Sequence, residues 1–157
     1  MLPTSQMRAL RELEPPSLDE GFTTVERVPF ARASDDGGQP GVFAGAAAAT
    51  RPHFARALAN THPAAPHLIF DWTPEGDAES LGAAAARVAK AITGPVELAV
   101  CPHPGGPPNC WCRPPLPGLP LAFARAHDVD PARSTLIGCS SAHRTLATTL
   151  GSRYIPA

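Results

Sequence analysis

The alternation of short apolar segments with helical patterns is the feature that most constrains how this chain of 157 residues folds. Strands alternating with helices fold as a parallel sheet with helices on both faces. The sequence therefore predicts an α/β, Rossmann-like three-layer domain with a central, mainly parallel sheet. The predicted strands are residues 41–45, 67–70, 96–100, 134–139 and 153–155, and the predicted helices are 51–60, 78–93, 118–129 and 142–151.

The chain length suits one compact domain, which we place at residues 34–157. Residues 1–33 are predicted to form an N-terminal extension, with a candidate edge strand in the alternating segment 23–32. The net charge of −1 gives no support to nucleic-acid or membrane binding. The start lacks signal-peptide features, and no apolar run reaches the roughly 18 residues of a membrane helix. We therefore expect a cytoplasmic protein.

Residues 101–112 read CPHPGGPPNCWC and hold four side chains of the kinds that bind zinc. Cys101 and His103 form one close pair, and Cys110 and Cys112 form the other. Two such pairs, joined by a spacer that turns the chain back, supply the four corners of a tetrahedral zinc site. With all four positions filled, no coordination site is left for water or substrate. The pattern predicts a structural zinc, in a compartment where reducing conditions favour metal binding over disulfides.

Other interpretations stay open for the cysteines of the loop and for the one cysteine outside it. The loop could instead hold a pair of free or oxidised cysteines among its prolines. The remaining cysteine, Cys139, is most simply a small core or loop residue, but a catalytic thiol with His143 as its base is the competing hypothesis.

Residues 96–155 resemble the zinc-loop branch of the haloacid-dehalogenase (HAD) superfamily, which contains histidinol phosphatase and heptose bisphosphate phosphatase. The resemblance rests on CPH at 101–103, C-x-C-R at 110–113, P-x-P-G at 115–118 and a strand ending in Gly138. It implies that the domain is HAD-like and that the loop 101–112 binds zinc.

Active members of that branch use two aspartates after the first strand, a lysine, and further acidic residues that hold Mg²⁺. In this chain the resemblance puts Ala44 and Ala46 at the two aspartates and Pro114 at the lysine. Cys139 stands at the strand-end aspartate, and His143 at the later acidic residue. Phosphoaspartyl chemistry and Mg²⁺ binding are therefore not expected.

Two further residues bear on residual chemistry. Thr73 is the one phosphate-contacting position of the family that this chain could retain. Asp71 ends an apolar strand and could be proposed as a nucleophile, but a turn or capping role is the simpler prediction. If the chain is an enzyme at all, its candidate catalytic residues are Asp71, Thr73, Cys139 and His143.

Residues 13–32 resemble the segment that ends the kinase part of polynucleotide kinase-phosphatases. No phosphate-binding G-x-x-x-x-G-K-[ST] loop is present, so the chain is not expected to be a kinase itself. The resemblance implies either descent from a fused nucleic-acid end-repair enzyme or a protein partner such as a separate kinase. Taken together, the residues predict a noncatalytic HAD-like homologue with structural zinc, acting as a binding, interaction or regulatory module. The alternative is a hydrolase of phosphorylated sugars or nucleic-acid ends with an altered mechanism.

Overall fold

The structure of this chain is a computed structural model that describes residues 18–21, 23–26, 37–73, 78–105 and 110–157. Tertiary contacts divide the chain into two units, residues 1–35 and residues 36–157. In the first unit, Leu18–Glu20 form a turn of 3₁₀ helix. Residues 23–26 lie in no strand, and the remainder of the candidate edge strand lies outside the described residues. The domain boundary after residue 33 stays a prediction.

The second unit is built on a five-stranded sheet in which every neighbouring pair of strands is parallel. Its spatial order is β3-β2-β1-β4-β5. The sheet confirms the predicted α/β, Rossmann-like class and each of the five predicted strands. The strands are β1 (Val42–Gly45), β2 (His67–Trp72), β3 (Val96–Cys101), β4 (Thr135–Gly138) and β5 (Arg153–Pro156).

The helices lie close to their predicted positions, with one addition. The short α1 follows β1 directly, within the alanine run, where alanine's high helix propensity allows a turn to form. Ser140 caps the start of the last helix, because its hydroxyl accepts a hydrogen bond from the backbone N–H of His143. Gly151 caps its end with a positive φ of 71°. The helices are α1 (Ala46–Ala49), α2 (Phe54–Ala59), α3 (Ala78–Ala89), α4 (Gly118–Ala126) and α5 (Ser141–Leu150). None of the helices in the described ranges has the length and apolar character needed to cross a membrane.

The sheet is covered on both faces, which gives the three layers. Alternate strand residues face opposite sides, so Ile69 packs toward α1, α2 and α3, while Phe70 packs toward α4 and α5. The first face buries mainly small and aliphatic side chains, and the second face buries Phe43, Phe70 and Phe123. Phe43 and Phe123 meet edge to face, with ring centroids 6.1 Å apart.

The strand order places β1 at the centre of the sheet. The chain first builds outward on one side, through β2 to β3, and then crosses to the other side of β1 to form β4 and β5. The carboxyl ends of β1 and β4 therefore flank a topological switch point, where open α/β sheets bind their ligands. The loop after β3 begins on the same edge of the sheet.

Candidate metal centre and strand-end site

The four predicted zinc ligands converge at the end of β3. Their ligand atoms all lie within 4.8 Å of one another. The Sγ atom of Cys101 lies 3.4 Å from that of Cys110 and 3.2 Å from that of Cys112. Nδ1 of His103 lies 3.2 Å from the Cys112 sulfur and 3.6 Å from the Cys101 sulfur. All four cysteines of the chain are described, and none forms a disulfide.

These separations fit a tetrahedral metal. Zinc–sulfur bonds of about 2.3 Å and zinc–nitrogen bonds of about 2.0 Å put sulfur atoms about 3.7 Å apart and nitrogen about 3.5 Å from sulfur. The four separations given above fall within about 0.5 Å of these values, and the other two lie within 4.8 Å. Three sulfurs with one imidazole also suit zinc chemically. The cluster can therefore hold a metal. Residues 106–109 of the spacer lie outside the described residues.

The thiols of the cluster influence one another strongly. Burial raises the pKa of Cys112, and the hydrogen bonds and charges of Cys101 and Cys110 raise it further, to about 12. Burial also raises the pKa of Cys110, but hydrogen bonds from Cys101 and Cys112 and from the nearby backbone outweigh it and lower this pKa to about 6. One thiolate is thus favoured at neutral pH, while its neighbour keeps a proton until a cation replaces it.

Two side chains outside the ligand set support the loop. The indole Nε1–H of Trp72 donates a hydrogen bond of 2.8 Å to the carbonyl oxygen of His103. The guanidinium of Arg113 lies over the Trp72 ring, 5.1 Å from its centroid, and donates to the carbonyl oxygen of Pro104. Arg113 thus lies beside the cluster and brings a positive charge close to its thiols. Trp111, by contrast, is 75% exposed.

The strand ends at the switch point are apolar. Ala44, in β1, is 1% exposed, and Ala46, the first residue of α1, is 6% exposed. Both belong to the core cluster on the α1–α3 face of the sheet. Neither offers a group that attacks phosphorus, donates a proton or binds Mg²⁺.

The imidazole of His143 packs against the ends of β1 and β4 on the face of the sheet that also holds Phe70. It reaches from α5 over two glycines, one at the end of β1 and one at the end of β4. A methyl group added at Gly45 would lie 2.9 Å from its Nε2 and closer still to Cε1, and one added at Gly138 would lie 3.0 Å from its Nδ1. The ring of Phe70 meets the imidazole edge to face at 5.7 Å. His143 is therefore a packed residue, 7% exposed.

The hydrogen bond of His143 fixes its protonation state. Its Nδ1 accepts a hydrogen bond of 3.2 Å from the backbone N–H of Cys139, which leaves the ring proton on Nε2 in the neutral form. Burial lowers the pKa of His143, and the nearby charge of Asp71 raises it by a lesser amount. Because the backbone of Cys139 occupies Nδ1, this nitrogen is not available as a base for the Cys139 thiol.

The remaining candidates lie at the end of β2. Asp71 is inside the strand rather than in the loop after it, and its Oδ1 accepts a hydrogen bond of 2.7 Å from the backbone N–H of Trp72. The backbone N–H of Thr73 donates to the carbonyl oxygen of Cys101 at 3.2 Å. The Thr73 hydroxyl is buried and has no hydrogen-bond partner among the described residues. The structure thus places Asp71 and Thr73 on the edge of the sheet that also holds Cys139 and His143.

Comparison with solved structures identifies the fold. The chain is similar to a Mesorhizobium loti protein assigned to the HAD-like phosphatases, with a TM-score of 0.53 at 18% sequence identity. The similarity covers 73% of this chain and 69% of that one. This chain has a HAD-like fold. The expectation drawn from the zinc-loop motifs is thereby confirmed at the level of the fold.

A second similar structure is that of D,D-heptose 1,7-bisphosphate phosphatase from B. bronchiseptica, complexed with magnesium and phosphate. It has a TM-score of 0.46 and 24% sequence identity, over 66% of this chain and 63% of that one. Neither a family model nor a curated protein sequence matches the chain.

Proposed function

We propose that this chain is a noncatalytic homologue of the HAD-like phosphatases, held together by a structural zinc and acting as a binding, interaction or regulatory module. The observation that carries the proposal is the position of His143. Its imidazole packs closely against Gly45 and Gly138, the last residues of the two strands that flank the switch point, so a buried core side chain lies at these strand ends.

The strand ends support the same proposal chemically. Phosphoryl transfer through a carboxylate needs a nucleophile, a proton donor and cations that neutralise the phosphoryl charge. The end of β1 offers Ala44, Gly45 and Ala46, and the end of β4 offers Gly138 and Cys139. These residues supply no carboxylate for attack and no oxygen side chain for Mg²⁺.

For the metal centre we propose zinc in a structural role. Three thiolates and one imidazole fill a tetrahedral site, which leaves no position for water or substrate. Cys101 is fully buried at the end of β3, so a metal bound there would tie the loop 101–112 to the sheet. We also propose that the protein works in the cytoplasm, where its thiols stay reduced and available for zinc.

The partner that fits the sequence is a protein, and the N-terminal resemblance suggests a separate kinase. The net charge of −1 gives no support to a nucleic-acid or membrane partner. Size-exclusion chromatography of the protein mixed with a polynucleotide kinase tests this proposal. Co-elution as a stable complex is expected, and independent elution of the two proteins would contradict it.

The competing function is a hydrolase of phosphorylated sugars or nucleic-acid ends with an altered mechanism. Asp71 and the buried hydroxyl of Thr73, which has no partner among the described residues, favour it because both lie at the carboxyl end of β2. In that mechanism Asp71 would be the nucleophile, and Thr73 would contact the phosphoryl group. Cys139 and His143 would be further candidates.

One hydrolysis assay separates the two functions. The zinc-loaded protein is incubated with Mg²⁺ and with p-nitrophenyl phosphate, a sugar phosphate and a 3′-phosphorylated oligonucleotide. We expect phosphate release at the rate of the buffer, with the same result for Asp71→Asn and for Cys139→Ser. Turnover that requires Mg²⁺ and disappears in Asp71→Asn would overturn the noncatalytic function.

A further inference from the structure

A cavity of about 470 Å³ lies in the helical layer on the α1–α3 face of the sheet. Its walls come from the turn after α1, from α2, and from the last part of α3 with the segment that follows it. Phe54 and Leu58 form a buried apolar wall, and Ile92 lies on the opposite side. The volume falls within the range of about 300–1,000 Å³ that ligand pockets occupy.

Two arginines lie at the mouth of this cavity. Arg51 and Arg87 both line it and are both exposed, whereas none of the described residues that line it is acidic. Nη1 of Arg87 donates a hydrogen bond of 2.7 Å to the carbonyl oxygen of Ala49, the last residue of α1. This bond holds the guanidinium at the rim, and none of the other described residues accepts a hydrogen bond from it. Its remaining N–H groups can therefore bind a ligand.

We propose that the cavity binds an organic anion with an apolar body, of the class of medium-chain acyl carboxylates. The apolar body would lie against Phe54, Leu58 and Ile92, where its burial supplies most of the affinity. The carboxylate would be held at the mouth by Arg51 and Arg87, because guanidinium groups bind carboxylates through paired, charge-assisted hydrogen bonds.

The site is separate from the two already described. It shares no residue with the Cys/His cluster, and none with the strand ends at Gly45 and Gly138. Binding at this cavity is therefore independent of whether the strand ends hydrolyse phosphate. A small molecule of this class would be a ligand that binds away from both the Cys/His cluster and the strand ends.

Octanoate, with octanol as its uncharged counterpart, tests the proposal by isothermal titration calorimetry on the full zinc-loaded chain. We expect octanoate to bind more tightly than octanol by at least about tenfold, the factor that one charge-assisted hydrogen bond supplies. The double variant Arg51→Gln, Arg87→Gln should abolish this difference while octanol binds as before.

Two further variants locate the site. Ala55 is exposed and lines the cavity from α2, so Ala55→Trp should fill it and remove the binding of both ligands. Arg56 is exposed on the same helix but does not line the cavity, so Arg56→Gln should leave the affinity for octanoate within about twofold of the parent. Equal affinity for octanoate and octanol, or unchanged binding in Ala55→Trp, would overturn the proposal.

Discussion

The end of β3 and the ends of β1 and β4 lie on one edge of the same sheet, yet they differ in almost every chemical respect. The loop after β3 gathers three thiols and an imidazole within 4.8 Å of one another, in a partly exposed position. The ends of β1 and β4 gather alanine and glycine, and a buried imidazole packs against the two glycines.

The two regions also depend on different parts of the chain. The cluster is built from residues 101–112 at the end of β3 and is supported by Trp72 and Arg113, whereas catalysis in an α/β fold needs groups from several strand ends at once. The loop after β3 holds four possible metal ligands, whereas Gly45 and Gly138 at the ends of β1 and β4 are buried. The following predictions test each side of that difference.

Removal of the metal should have the largest effect. If the available zinc is about a thousandfold above its dissociation constant, binding contributes about 4 kcal/mol to the free energy of unfolding. The variant Cys110→Ser should lose both the zinc and this stability, because metal binding in such sites is folding energy. Elemental analysis and urea unfolding measure the two quantities.

The fourth cysteine provides the matched control for this experiment. Cys139 lies outside the Cys/His cluster, so Cys139→Ser should keep about one zinc per chain and nearly all of the stability. A Cys110→Ser protein that loses its zinc but unfolds at the same urea concentration as the parent would rule out the structural role.

A substitution at Gly45 should have the next largest effect. The methyl group of Gly45→Ala would overlap the imidazole of His143, and overpacking of this kind costs about 2 kcal/mol. In a His143→Ala background the same change should cost less than about 0.5 kcal/mol, because the nearest atoms to the new methyl all belong to that ring. Urea unfolding of the four proteins completes this cycle.

Gly82 in α3 is the control glycine, since a methyl group there would meet nothing within 4 Å. Gly82→Ala should leave the stability unchanged or raise it by up to about 1 kcal/mol through helix propensity. A cost at Gly45 that persists without His143 would show that the imidazole does not fill this space.

Acid should produce a smaller effect through the buried histidines. Burial lowers the pKa of His67 and of His143 below the ordinary value of 6.5. Below that pH the unfolded chain binds protons that the folded chain does not, so stability falls as the pH drops from 6.5 toward the folded-state values. Above pH 6.5 both states are neutral at these residues, and they add no pH dependence.

The variant His143→Gln should therefore lose less stability than the parent between neutral pH and about pH 5.5. Urea unfolding at both pH values, with zinc present throughout, measures this difference. His62 is exposed, and His62→Gln serves as the control with the parent's pH profile. An unchanged acid dependence in His143→Gln would mean that this imidazole is not held neutral by burial.

Much of the fold could be predicted because the information is local. Each strand shows as a short apolar run, and each longer helix shows as a periodic pattern between turn residues. The ligand cluster could also be predicted from the sequence, since Cys101 and Cys112 are only eleven residues apart. The turn α1 was missed because an alanine run carries no periodicity, and β2 extends beyond its predicted end to include Asp71 and Trp72.

The packing of the strand ends could not be predicted, because it joins distant parts of the chain. Gly45, Gly138 and His143 meet only after β1 and β4 have paired and α5 has packed across them. The same is true of the indole of Trp72, which reaches the carbonyl oxygen of His103 from a neighbouring strand. The resemblance predicts alanine at two aspartate positions of the family, and only the tertiary structure shows that His143 packs against the strand ends.

The noncatalytic function is tested most directly by asking whether the strand ends bind Mg²⁺ and a phosphoryl mimic. Amide chemical shifts of the zinc-loaded protein are recorded by NMR during titration with Mg²⁺ and beryllium fluoride, which mimics a phosphoryl group on a carboxylate. We predict that the chemical shifts of the Gly45, Asp71 and Cys139 amides do not change. Saturable shifts at these three amides would contradict it, because they would show an open site that still receives substrate.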